Sequence, residues 1–171
     1  MPIARAISLA AAALLLTAHA EAREYPIGGP VQAHDMEIAS NYLVGITMDP
    51  MPAGMAMGPD AIHLETDVHA TADNRYGFAD GAWIPYLTID FTLTRQGSDW
   101  TAHGRLAAMT ANDGPHYAVN VAMPGPGSYT VTFRYAPPET NGFLRHTDAE
   151  TGVPAWWPPF SESFTFRYPQ Q

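Results

Sequence analysis

The 171-residue chain has no cysteine. Disulfides and thiolate metal sites are therefore excluded, and the fold must rest on its apolar core. Lysine is absent too. All eight basic residues are arginines, against 17 acidic ones, for a formal charge of −9. A chain so short of positive charge is a poor partner for nucleic acid or an anionic membrane surface, and it favours cations. Beyond the N-terminus no apolar run approaches the length of about 20 residues that a membrane span needs, so stable insertion is not expected. Amphipathic helices are also missing, while 14 glycines and 16 prolines break the chain into short pieces.

The one long apolar run, Ile7 to Thr17, follows Arg5. Small-residue cleavage sites come next, at Ala18-His19-Ala20 and Ala20-Glu21-Ala22. This pattern predicts a secretory signal over residues 1–22 and one domain over 23–171. Export without disulfides suits a bacterial periplasm.

What remains reads as all-β. Alternating apolar and polar residues predict strands over Met36–Met48, Ile62–Ala70, Tyr86–Arg95, Thr101–Met109, His116–Ala122, Ser128–Ala136 and Phe160–Tyr168. Seven short strands separated by turn signals predict an immunoglobulin-like β-sandwich, although no Cys–Trp–Cys signature of a true antibody domain is present.

The chemistry concentrates in Ile62–Ala70. Alternate side chains of a strand face opposite ways. Leu64, Thr66, Val68 and Ala70 then share one face, and His63, Glu65, Asp67 and His69 share the other. Neighbours on one face stand about 6.5–7 Å apart along the strand, so two of them can close on one ion. Imidazole and carboxylate are both metal donors. A solvated strand face is the plainer alternative.

Three further features bear on metal binding. Ala111-Asn112-Asp113-Gly114-Pro115 reads as a hairpin connection that opposes Met109 to His116. The Pro- and Gly-rich stretch from Met48 to Pro59 holds Met48, Met51, Met55 and Met57, four of the eight methionines. Thioethers serve as packing, as partner contacts or as soft ligands for Cu(I). His146 lies in a turn-rich connection and by itself reads as a loop histidine. His34 and His103 read as surface residues, and Trp156-Trp157 as aromatic packing over one end of the sandwich.

Segments in a fixed order carry a family resemblance. They are Met36-Glu37-Ile38-Ala39, Ile62-His63-Leu64-Glu65, Asp67-Val68-His69-Ala70, Pro85-Tyr86-Leu87-Thr88-Ile89, Asn112-Asp113-Gly114-Pro115-His116-Tyr117, and Gly142-Phe143-Leu144-Arg145-His146 with Glu150 to Val153. With them the chain resembles the periplasmic iron-transport accessory proteins that accompany high-affinity iron permeases. The resemblance implies a homodimer with a copper site made by His63, Glu65, Met109, His116 and His146. It implies iron as a second metal, with Glu24, His69 and Asp113 as contributors, and an inner-membrane iron permease as partner. The expected function is non-enzymatic metal binding in support of iron uptake. A copper chaperone or copper-resistance protein is the alternative. A copper-dependent iron oxidoreductase and a metal-free adhesion sandwich are the remaining readings.

Overall fold

The computed structural model describes residues 23–170. The expected signal segment, residues 1–22, lies outside them. Among the described residues nine strands follow in order: β1 (Tyr25–Ala33), β2 (Met36–Val44), β3 (Ala61–Ala70), β4 (Thr88–Arg95), β5 (Thr101–Arg105), β6 (Ala107–Ala111), β7 (Gly114–Ala122), β8 (Gly127–Ala136) and β9 (Phe160–Tyr168). A short 3-10 turn, Pro138–Asn141, links β8 to the last loop. The strands form two antiparallel sheets, β1-β2-β3-β7-β6 and β5-β4-β8-β9. The all-β sandwich is as expected. Among the described residues no helix is long and apolar enough to cross a membrane.

The core forms where the inward faces meet. Ile38, Leu64, Val68 and Tyr117 of the first sheet pack against Ile89, Leu93, Val131, Phe133 and Tyr135 of the second. Each large apolar side chain removed from water contributes roughly 1.5–3 kcal/mol, before the entropy cost of ordering it. The Tyr117 hydroxyl is matched inside: it donates to the Ile84 carbonyl at 2.9 Å and accepts the Leu87 N–H at 3.0 Å, whereas the indole N–H groups of Trp83, Trp156 and Trp157 are buried without a protein partner.

Five expectations need correction. Thr101–Met109 is two strands in different sheets, because the chain crosses the sandwich at Leu106. That side chain is buried, and its N–H donates to the Ile89 carbonyl at 2.9 Å. The strand expected over Met36–Met48 ends at Val44, and the one expected from Tyr86 starts at Thr88, since Tyr86 has φ 62 and cannot continue an extended run. β1 was absent from the expected strands. It is an edge strand with two register irregularities, which is where Pro26 and Pro30 are tolerated. Its Gly28 passes so close to Phe164 of the other sheet that a side chain there would collide with the ring. His34, expected at the surface, is half-buried against Trp157 and Phe160, whereas His103 is exposed.

Candidate metal centre

β3 is central in its sheet, between β2 and β7. Its inward face is core. Its outward face carries His63, Glu65, Asp67 and His69, as the alternation predicts. On β7, Asn120 stands opposite His63 and Ala118 opposite Glu65, while His116 comes two residues further along the same face. The small Ala118 leaves room for the longer side chains around it. β6 then places Met109 directly across from His116, as expected for the hairpin. The crossing at Leu106 is what brings Met109 into this sheet.

Three buried donors converge. His63 Nε2 and His116 Nε2 are 3.5 Å apart, and each is 3.8 Å from Glu65 Oε2. The point equidistant from all three atoms lies about 2.1 Å from each, which matches ordinary metal–nitrogen and metal–oxygen lengths. The set therefore fits a bound cation. His63 is also held in the tautomer a ligand needs. Its Nδ1–H donates to Asn120 Oδ1 at 2.7 Å, leaving the Nε2 lone pair free. Sequence reasoning missed Asn120. The available signal was its spacing of four from His116, which puts both on one strand face.

The centre lies at the base of an open cleft of about 1120 Å³. Met109, Met48, Glu24, Asp67, His69 and Asp113 also line it. Burial, and then repulsion from Asp67 and Glu24, push the Glu65 carboxyl up to about 8, with Asn41 acting the other way. Burial raises the Glu24 and Asp67 carboxyls too. Burial lowers His63, keeping its imidazole neutral to lower pH than usual. Crowded carboxylates and neutral imidazoles are what a cation would find favourable.

His146 does not join this group. Its side chain is 73% exposed, on the loop after the 3-10 turn, and it is not among the cleft residues. Its ring is nonetheless oriented. The Thr151 hydroxyl donates to Asp148 Oδ2 at 2.8 Å, so it must accept from His146 Nδ1–H at 2.7 Å. His146 Nε2 is thereby left as an acceptor facing away from that contact.

Fold and donor set together define a β-sandwich protein whose buried His63, Glu65 and His116 could hold a metal ion. The sequence profile of the Fe2+ transport proteins matches residues 21–169, and the chain belongs to that family. Among solved structures, a copper-bound variant of FetP from uropathogenic Escherichia coli strain F11 superposes with a TM-score of 0.82 at 44% identity, over 87% of this chain and 99% of that one. Copper-reconstituted P19 of Campylobacter jejuni gives a TM-score of 0.81 at 43% identity, over 86% of this chain and 97% of that one. A UPF0423 protein of Brucella abortus (strain 2308) is 41% identical over 158 residues, covering 91% of this chain and 87% of the relative.

Proposed function

We propose that this protein is a periplasmic copper-binding accessory of iron uptake, exported by a signal over residues 1–22. His63, Glu65, Met109 and His116 hold the copper. The observation that carries the reading is the buried triangle of His63, His116 and Glu65, dimensioned for one ion. The relatives' copper supports the choice of metal. So does the donor chemistry: imidazole suits copper in both oxidation states, the Met109 thioether favours Cu(I), and the carboxylate favours Cu(II). Iron is the cargo, with the carboxylates of Glu24 and Asp113 and the imidazole of His69 at the cleft mouth as its harder contacts. An inner-membrane permease receives it. A strain lacking the gene should grow poorly on limiting iron, and His116→Ala should fail to restore growth. Normal growth on limiting iron combined with sensitivity to excess copper would instead favour a copper-resistance role.

The proposal extends to a homodimer in which His146 supplies a fifth ligand to the neighbour's centre. Its exposure and its outward Nε2 suit donation across an interface. Two-fold symmetry would then build the shared site twice. Copper that binds only the assembled state must tighten the dimer by mass action. Sedimentation at low concentration should show a dissociation constant lowered by copper in the wild type but not in His146→Ala. A monomer with and without copper would remove the dimer, and a dimer indifferent to copper would remove His146 from the shared site.

A further inference from the structure

The loop between β2 and β3 carries Met48, Met51, Met55 and Met57, and the function above uses none of them. Met48 lines the main cleft. Met51 and Met57 line a second cavity of about 430 Å³. The two cavities share one wall, made by Gly45, Ile46, Thr47 and His63. The loop is tied to the centre. Ala56 N–H donates to the Asn120 carbonyl at 3.2 Å, and the same asparagine's side chain holds His63. One residue of β7 thus fixes both the loop and a donor of the main site.

Packing does not account for Met57. A methionine used as apolar filler is covered by its neighbours, whereas Met57 is 71% exposed at the edge of this cavity. The two cavities also differ in chemistry. The main cleft holds Glu24, Glu65, Asp67 and Asp113. The second is lined by no carboxylate and no arginine. His63 offers it no free nitrogen, because Nδ1 is committed to Asn120 and Nε2 faces the main centre. The soft donors left there are the two thioethers. A divalent ion would find no compensating charge, but a soft monovalent ion needs little and prefers sulfur.

We propose that this cavity is a second, Cu(I)-selective site, in which the thioethers of Met51 and Met57 bind a soft monovalent ion on the far side of His63 from the main centre. The identity of the ion rests on the copper reading above. Binding exchanges water for thioether without change of oxidation state. The site would keep reduced copper beside a centre whose carboxylate favours the oxidised ion.

Methionine methyl groups labelled with carbon-13 report each thioether separately, and Ag(I) is a probe of Cu(I) sites that cannot change oxidation state. In the purified mature protein, Ag(I) should shift the Met51 and Met57 methyl signals together. The shifts should persist in His116→Ala, which disables the main centre without touching this cavity. In a Met51→Leu, Met57→Leu double variant, Ag(I) stoichiometry should fall by one equivalent per subunit while Cu(II) affinity stays unchanged. Leucine keeps volume and apolar character, so the fold should survive. Unmoved Met51 and Met57 signals would overturn the site, and so would shifts that vanish in His116→Ala. The Cu(II) affinity of His116→Ala tests the main centre by itself, so the two assignments fail independently.

Discussion

His63→Ala and His116→Ala should each weaken Cu(II) binding by at least tenfold, read by calorimetry on the purified protein. Each change removes one of two imidazole nitrogens in a triangle of three donors. Loss of a residue that merely orients a ligand commonly costs 10–100-fold in metal affinity, so loss of the ligand itself should cost no less. The remaining histidine and Glu65 can still meet one ion across their 3.8 Å edge, but they hold it with one buried donor fewer. Both histidines are buried, so circular dichroism of each variant must first show an intact sandwich. Asn120→Ala provides a second reading, because it leaves all ligands in place and frees only the His63 ring. It should weaken binding less than either histidine variant. Unchanged affinity in both histidine variants would remove the assignment.

The second large effect is on the metal-free protein. Its thermal stability should fall as pH rises from about 5 to 8, and Glu65→Gln should abolish most of that fall. The Glu65 carboxyl is pushed up to about 8 in the fold from an ordinary 4.5. Between those values the folded chain keeps a proton that the unfolded chain has lost. Stability then declines with rising pH, by about 1.4 kcal/mol for each unit of separation. A loss of a few kcal/mol should lower Tm by roughly 5–10 °C in a domain of this size. His63 acts in the opposite sense. Its imidazole is lowered, so its contribution is lost as pH falls below about 6.5 toward the lowered folded value. Copper should reverse the Glu65 trend, because the ion stabilises the ionised carboxylate and displaces its proton. The rise in Tm on adding Cu(II) should therefore be larger at pH 8 than at pH 6. Parallel pH profiles for wild type and Glu65→Gln would show that Glu65 is not the titrating group.

The two effects draw on different levels of information. The outward face of β3 was legible because strand alternation depends only on the backbone, so His63, Glu65, Asp67 and His69 had to share a side once Leu64, Thr66 and Val68 turned inward. The Met109–His116 pairing was equally legible, since a tight hairpin fixes its own register. β1 escaped notice because its prolines and glycines look like a loop, and an edge strand tolerates them only by virtue of its neighbour. The division at Leu106 was hidden because no Pro or Gly stands between Arg105 and Ala107, where the partner sheet changes.

By itself, then, the sequence determined the all-β class, the face that carries the donors, and the local pairing across the hairpin. These depend on residues within one strand or one turn. Tertiary structure decided which donors meet. β7 lies beside β3, so His116 reaches His63 and Glu65 although it is 53 residues from the first. The same adjacency supplies Asn120, which sets the His63 tautomer. It also buries Glu65 beside other carboxylates, and this raises its proton affinity. Such properties arise from desolvation and through-space charge. They require strands distant in the chain to be packed together, and no local pattern encodes that distance.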